Sequence, residues 1–474
     1  MRLCDWDGST VPRSKTNSTQ SPFSCERTVS AMIKLTYHFN EEVSSVLREG
    51  QRITLDVKDW RQIGFTVKAP AHADAVMALR ERGTTLQRLN AIAGDPAVAA
   101  YYIERFALGR LLSWTLADDK GELGRVASLA NLYRPRSGAP PRAALSLCRF
   151  ANLRRRDGVI VLESGATPAR LVLSAPGLVA FADALCGKAN GFETILWRLG
   201  FFDLTEPQES AARRSWEFHD LLMHETSREN RDADAGGGSY RFDGIFPAPP
   251  AIKPAMPGDC IVLPAVDPKR IHQASNSLHT LQERRKSRRT YADEPVALAT
   301  LGEFLWRVCR TTRYFSDGRQ DLISRPYPAG GSINELEFYI AVRDCSGLAP
   351  AVYHYDSHRH ELVQLAESGK IALKIVDQSS RAMALHPEDR QPGLTVVIAS
   401  RLPRIAWKYQ RMAYRASLMN TGVVINLMYL VATDMGLAPC ANGSGDSRLL
   451  EKATGIDRFE ETAIAEFCIG QPAT

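Results

Sequence analysis

The stretch "LMNTGVVINLMYLVATDMGL", Leu418 to Leu437, decides how the chain folds. It is the one segment apolar and long enough to be weighed as a membrane span. Asn420, Asn426 and Asp434 interrupt it, and each would be costly in lipid. A helix buried in protein is the better reading, and a membrane anchor is not expected. On either side stand strands, "GLTVVIASR" before it and "IAEFCIG" after it. Further upstream lie the amphipathic "ALATLGEFLWRVCR", the strand "ELEFYIAVRD" and the turn-separated strands "AVYHYDSHRHELVQL". Helices alternate with strands, yet hairpin neighbours occur as well. That mixture predicts an α+β domain around a mostly antiparallel sheet, with the long helix as its core.

Outward from this domain, the 474 residues are too many for one ordinary domain. From Asp232, "DADAGGGS" and "FPAPPAIKPAMPGD" are rich in glycine and then proline, which predicts an extended linker crossing a surface over 232–280. The last domain then covers 281–474. Before the linker, helical and hairpin patterns predict two winged-helix-like lobes at 32–135 and 136–231. Their helices are mostly apolar or mixed, which suits peptide contact or packing and not DNA. Residues 1–31 read as a disordered tail or an over-extended start, because alternation begins abruptly at "MIKLTYHF".

Composition narrows the function classes. Hydrophobic residues make up 44% and charged residues 24%, as in soluble globular proteins. A net charge of +6 is small for this length, so anions are favoured only where bases cluster and nucleic acid is not implied. Nine scattered cysteines with no CxxC spacing, and no signal-peptide run, read as reduced thiols in a cytoplasm. No metal is expected: His354, His358 and His360 fall around a hairpin tip, and His219 and His224 are five apart on a helix. GxGxxG after a strand and GxxxxGK[ST] are both missing from the sequence.

Four constellations can carry chemistry. Arg284, Arg285, Lys286, Arg288 and Arg289 surround Ser287, a density of guanidinium forks and a hydroxyl that suits phosphate; the alternative is a solvated helix face. "RPYPAGGS" offers Gly330 and Gly331, where backbone can approach a flat or phosphorylated ligand, or it is a plain turn before a strand. "PCANGSGDS", Pro439 to Ser447, is a similar loop, in which Asp446 or Ser447 can cap the next helix. At the mouth of the long helix, "AWKYQRMAYR" sets Lys408 beside Tyr409. Counted helically, Arg411 and Arg415 share the side of Lys408 while Tyr409 lies about 100° round. An ammonium lining the same pocket would stabilise the phenolate and make the phenol a useful base. The alternative is a snorkelling lysine and an interfacial tyrosine.

In this order the motifs resemble the SagB-type azoline dehydrogenases, the FMN-dependent nitroreductase-fold branch that matures thiazole/oxazole-modified peptides. "RKSRRTY" is similar to the family's R-x-S-x-R-x-aromatic opening, and "RPYPAGG" with "LEFYIAV" to its glycine loop and strand. "KYQRMAYR" resembles its Lys-Tyr helix, and "GLAPCANGSGDSRLLEKATGIDRFEETAIAEFCIG" its C-terminal signature. "SINELE" departs from the aromatic or histidine and the proline usual there. The resemblance implies FMN held by Arg285, Lys286, Ser287 and Arg289 at its phosphate end. It implies Pro328, Ala329, Gly330 and Ser332 along the ring, with Gly443, Ser444 and Gly445 closing the other side. Lys408 and Tyr409 carry over as the catalytic pair. A precursor peptide as substrate, a cyclodehydratase partner and a homodimer with flavin at its interface are likewise implied. An NAD(P)H-dependent nitroreductase and a non-catalytic peptide-binding scaffold are the rival readings.

Overall fold

The computed structural model describes residues 33–473 except 59–60, 82, 131–132, 141–143, 189, 206–208 and 229–236. The expected tail at 1–31 lies outside the described residues. The chain divides into two compact units at Asp234/Ala235.

In the N-terminal unit, a six-stranded antiparallel sheet runs in the order 34–39, 112–118, 121–128, 167–173, 159–164, 151–156. Pro70–Ala78, Leu86–Ala93 and Pro96–Leu108 precede the 112–128 hairpin, and Ala175–Leu185 and Phe192–Leu199 follow the last strand. The two lobes expected at 32–135 and 136–231 are thus not separate. Leu171 pairs with Val126 across the supposed boundary, and one apolar core runs from Tyr37 to Phe202. Hydrogen bonds between strands so far apart in sequence leave no local signature.

The C-terminal unit is built on seven strands. In chain order its main elements are β1 (Asp259–Val262), α1 (Leu278–Arg284), α2 (Leu298–Cys309), β2 (Arg313–Ser316), β3 (Asp321–Ser324), β4 (Leu336–Val342), β5 (Val352–Asp356) and β6 (Glu361–Gln364). There follow α3 (Gly369–Ala382), β7 (Leu394–Ser400), α4 (Leu402–Lys408), α5 (Ala413–Asp434), β8 (Ala438–Asn442), α6 (Ser447–Thr454) and β9 (Thr462–Gly470). The sheet order is β1-β6-β5-β4-β7-β9-β8, every neighbour antiparallel, while β2 and β3 form a separate hairpin.

Strands β4, LEFYIAV, and β7, LTVVIAS, are buried at every residue because both faces of the sheet are covered. Alternation splits them between two layers. Phe338, Ile340, Val396 and Ile398 meet Phe304 and Leu305 of α2 and Val424 and Met428 of α5. Tyr339, Ala341, Val397 and Ala399 meet Ile375 and Val376 of α3 and Leu450 of α6. Each of the Val, Ile, Leu, Phe and Met side chains contributes about 1.5–3 kcal/mol by leaving water.

By length and composition α5 could cross a membrane, but its Ala416, Asn420, Thr421, Val424, Met428 and Val431 recur at helical spacing and are buried against the unit's core. Asp434 ends it, accepting hydrogen bonds from the Asn276 backbone N–H (2.8 Å) and the Arg307 guanidinium (2.5 Å).

The segment expected to be a linker belongs to this unit. Its Asp259–Val262 adds β1 to the sheet edge, and its upstream part docks by backbone carbonyls: Arg404 donates to Pro249 O (2.8 Å), Arg401 to Pro250 O (3.0 Å) and Trp407 to Phe246 O (3.0 Å). The compact unit therefore begins at Ala235 and includes the segment expected to be a linker. Extended proline-rich chain gives no periodic signal, and its partners lie some 150 residues away in sequence.

Candidate functional site

Two clusters form, one toward each end of α5. At its N-terminal end the loop Pro328–Ser332 lies against Lys408 and Tyr409. The Lys408 ammonium donates to Gly331 O (3.5 Å) and stands 5.7 Å from the Tyr409 ring centroid. Gly331 has φ +60°, and a β-carbon there would overlap the Tyr409 hydroxyl oxygen and come within 3.0 Å of Lys408 Nζ. Glycine is therefore what lets this loop touch the pair. Asn420 of α5 fixes the loop from beneath: its Oδ1 accepts from Gly330 N–H (3.0 Å) and its amide donates to both oxygens of buried Glu335 (3.1 Å each). The asparagine that makes α5 unsuitable for lipid thus serves this loop.

Lys408 and Tyr409 do not sit on one continuous helix. Lys408 is the last residue of α4, Tyr409 is extended (φ −111°, ψ 133°), and α5 starts at Ala413. The helical phase expected across Lys408, Tyr409, Arg411 and Arg415 therefore does not apply. Neither proline nor glycine marks the break. Tyr409 keeps one helical bond, its N–H to Ile405 O (2.9 Å), while its ring packs in the cluster of Leu322, Ile333, Ile405 and Ala413. That packing replaces the next helical turn.

Near the other end of α5, Tyr429 gathers the basic segment and the C-terminal loop. Its hydroxyl pairs with Ser287 Oγ (2.8 Å) and accepts from Ala441 N–H (2.8 Å), and the Arg285 guanidinium lies 5.4 Å from its ring. Arg288 N–H donates to Pro439 O (2.8 Å), so the basic segment runs beside β8. In the loop after β8, Ser444 N–H and Oγ both donate to Asn442 Oδ1 (3.0 and 2.9 Å), and space at Gly443 is open. Gly445 lies on the Glu466 carboxyl, which would be struck by a β-carbon. Burial pushes the Glu466 pKa up, against hydrogen bonds from Ser379 and Asn442. Asp446 is the cap of α6, accepting from Arg448 N–H (3.1 Å).

Arg285, Lys286 and Arg289 are exposed, and among the described residues none has a carboxylate within ion-pair distance. Uncompensated cations on a segment that runs beside β8 suit a phosphate group. Tyr429 escaped the sequence reading because it is one aromatic in an apolar helix; Gly331 was visible in "AGGS", but only its positive φ singles it out from Gly330.

Beneath the first cluster lies a buried polar network. Glu337 accepts from His354 (3.3 Å) and Arg401 (3.4 Å). Burial alone would raise its pKa, but the His354 hydrogen bond and the Arg325, His354 and Arg401 charges hold it down at about 2. Burial brings Arg404 down to about 10. Arg404 spans Ile333 O (2.9 Å), Asp321 O (2.8 Å) and Pro249 O (2.8 Å), so it ties the glycine loop, the β2–β3 hairpin and the upstream segment to α4. His354 thus joins Glu337 by a hydrogen bond between β5 and β4, and His360 bonds the Tyr355 hydroxyl (2.9 Å).

The first cluster stays apart from the second within one chain. Asn420 and Tyr429 are nine residues apart, about 14 Å along a helix and about 180° round it.

Residues 282–471 match the sequence model of the Nitroreductase family, so the chain carries a nitroreductase-family domain. Over 164 residues it is 28% identical to a Methanocaldococcus jannaschii protein that bears a nitroreductase name, covering 34% of this chain and 75% of that one. A crystal structure from Ralstonia eutropha with a nitroreductase name aligns at 20% identity and TM-score 0.36, covering 48% of this chain and 100% of that one. A chain of the E. coli microcin synthetase McbBCD complex, solved with truncated pro-MccB17 bound, aligns at 17% identity and TM-score 0.33, covering 45% and 85%.

Proposed function

We propose that the C-terminal unit is an FMN-dependent dehydrogenase that oxidises thiazolines or oxazolines in a ribosomal peptide to azoles. The observation that carries this reading is the contact of Lys408 and Tyr409 with the Gly331 loop, which joins the two motifs that the SagB-type resemblance assigns to the flavin ring and to catalysis. An oxidoreductase is what the nitroreductase-family domain supports by itself.

Arg285, Lys286, Ser287 and Arg289, with Gly443, Ser444 and Gly445, would hold the phosphate and ribityl end. Pro328, Ala329, Gly330 and Ser332 would lie along the ring. When bound, FMN supplies the two-electron acceptor for the hydride that leaves the azoline ring. Tyr409, acting as its phenolate, would take the proton from the neighbouring ring carbon and become the phenol, and the Lys408 ammonium would stabilise that phenolate beforehand. Proton and hydride together are the two hydrogens lost on aromatisation.

Because the phosphate half and the ring half lie on opposite sides of α5, one flavin that touches both takes a half from each of two chains. The proposed assembly is a homodimer. On α5, Met419 and Val423, four residues apart on one side, are exposed (61% and 39%) and supply an apolar face for it. A precursor peptide and a cyclodehydratase remain the proposed partners.

The test is a thiazoline-bearing peptide incubated with flavin-loaded protein and followed by mass. Wild type removes two hydrogens per ring; Lys408→Ala and Tyr409→Phe stay yellow and do not. Arg285→Ala sheds flavin. Colourless Lys408→Ala and Tyr409→Phe proteins would make the pair structural, and wild type that bleaches with NADPH but leaves the peptide unchanged would make the domain a nitroreductase.

A further inference from the structure

Upstream of the matched family region, the chain places a third aromatic residue at the Lys408–Tyr409 pair. Tyr240 N–H donates to the Lys408 carbonyl (3.2 Å), satisfying a C-terminal carbonyl of α4 that has no helical partner. Its ring stands edge-on to Trp407, at 5.8 Å and 82°. The Lys408 ammonium is 5.7 Å from the Tyr240 centroid, the same separation it keeps from Tyr409. Arg319, on the turn between β2 and β3, lies 4.4 Å from the Tyr240 ring. Tyr240 adopts φ +49°, a conformation a bulky residue seldom takes and that persists only where surroundings impose it. Gly238 sits directly against both Tyr240 and the Lys408 side chain, where a β-carbon would come 2.8 Å from the Tyr240 ring and 3.3 Å from Lys408 Cγ. The carbonyls of Phe246, Pro249 and Pro250, bound by Trp407, Arg404 and Arg401, anchor the same segment onto the helix that carries Lys408.

A flexible lysine on a helix end has other places to go. Asp317, on the β2–β3 turn, is near enough to feel its charge. Burial acts to raise the Asp317 pKa, yet the Arg319 and Gln320 backbone N–H groups and the Lys408 and Arg319 charges bring it below the usual range. The electron-rich faces of two tyrosine rings and the Gly331 carbonyl are what compete with that carboxylate for the ammonium.

We propose that Tyr240 is a positioning residue of this site: its ring holds the Lys408 ammonium at the Gly331 carbonyl, beside Tyr409 and away from Asp317. The proposal rests on the reading that Lys408 works there, but its first test needs neither flavin nor peptide. Trace acetylation of lysines with acetic anhydride at one pH, quantified by peptide mass spectrometry, reports how protected each amine is. In Tyr240→Leu, Lys408 should label about tenfold faster than in wild type, the factor a typical partly desolvated cation–π contact represents. Tyr240→Phe, which keeps the ring, should stay within about twofold, and the other lysines should not change. Equal Lys408 labelling in wild type and Tyr240→Leu overturns the proposal, as does Tyr240→Phe labelling as fast as Tyr240→Leu. Faster labelling at every lysine would mean unfolding, and Tyr240→Met, unbranched and slimmer, then carries the comparison under the same criteria. In turnover, Tyr240→Leu should lose about tenfold in kcat with KM and flavin content kept, and Tyr240→Phe should restore it. Labelling that shifts as stated in a protein that forms no azole would sink the proposed reaction and leave the positioning role intact.

Discussion

Gly331→Ala is the sharpest single test of the loop geometry. At φ +60° and ψ 21° the residue is left-handed, which costs a side chain-bearing residue about 1–2 kcal/mol. The added methyl would also overlap the Tyr409 hydroxyl and stand 3.0 Å from Lys408 Nζ, so the loop or the pair must move. A shift of about 1 Å in a reacting group costs on the order of 100-fold in rate. The neighbouring Gly330→Ala is the control: its β-carbon would meet Ala416 Cβ and Asn420 Oδ1 at 3.9 Å each, ordinary contacts, with no positive φ to strain. Gly331→Ala should therefore melt about 2–8 °C lower by calorimetry and lose roughly 100-fold in turnover. Gly330→Ala should stay within about 0.5 kcal/mol of wild type. Wild-type melting and turnover in Gly331→Ala, or an equal loss of melting temperature from both substitutions, would refute the placement of Tyr409 on this loop.

Other outcomes follow from the same geometry. Tyr429→Phe removes the hydroxyl shared by Ser287 and Ala441 N–H, so it should cost about 1–2 kcal/mol in urea denaturation and weaken FMN binding in a fluorescence titration. An unchanged flavin affinity would separate Tyr429 from the phosphate half. Glu337 has a folded pKa of about 2, below its ordinary 4.5, so its stabilisation is complete above about pH 4.5 and disappears as pH falls toward 2. Glu337→Gln should be less stable than wild type at neutral pH and lose less between pH 5 and pH 2 in acid denaturation. Met419→Glu, on the exposed face of α5, should yield monomer in sedimentation and lose flavin with the dimer; a yellow monomer would rule out a flavin shared between chains.

Where local pattern and tertiary packing ask for the same thing, the sequence was easy to read. The strands LEFYIAV and LTVVIAS, the hairpin with its Asp356–Arg359 tip and the core helix all carry their periodicity on the surface of the string. The cap at Asp446 needs only a side chain that reaches two residues on. What stayed hidden depends on partners distant in sequence. The proline-rich segment has no regular structure of its own and is held by side chains of α4. The pairing that merges the two expected lobes joins strands 40 residues apart. The break after Lys408 has no glycine or proline to announce it.

Asn420 shows how the two kinds of information meet. In the sequence it is a polar flaw in an apolar helix, enough to argue against lipid and no more. In the fold it occupies a buried position, where an unpaired amide would cost about 1–3 kcal/mol, and both ends of that amide are satisfied, by Gly330 N–H and by the Glu335 carboxylate. The helix therefore accepts a residue of poor hydrophobicity because it sets the height of the loop that Gly331 brings onto Tyr409. Arg404 does the same from the other side, spending a buried guanidinium on three backbone carbonyls of three segments. Costly polar groups that do nothing for the apolar core, yet converge on one loop and one lysine–tyrosine pair, are a stronger pointer to a working site than either motif read alone.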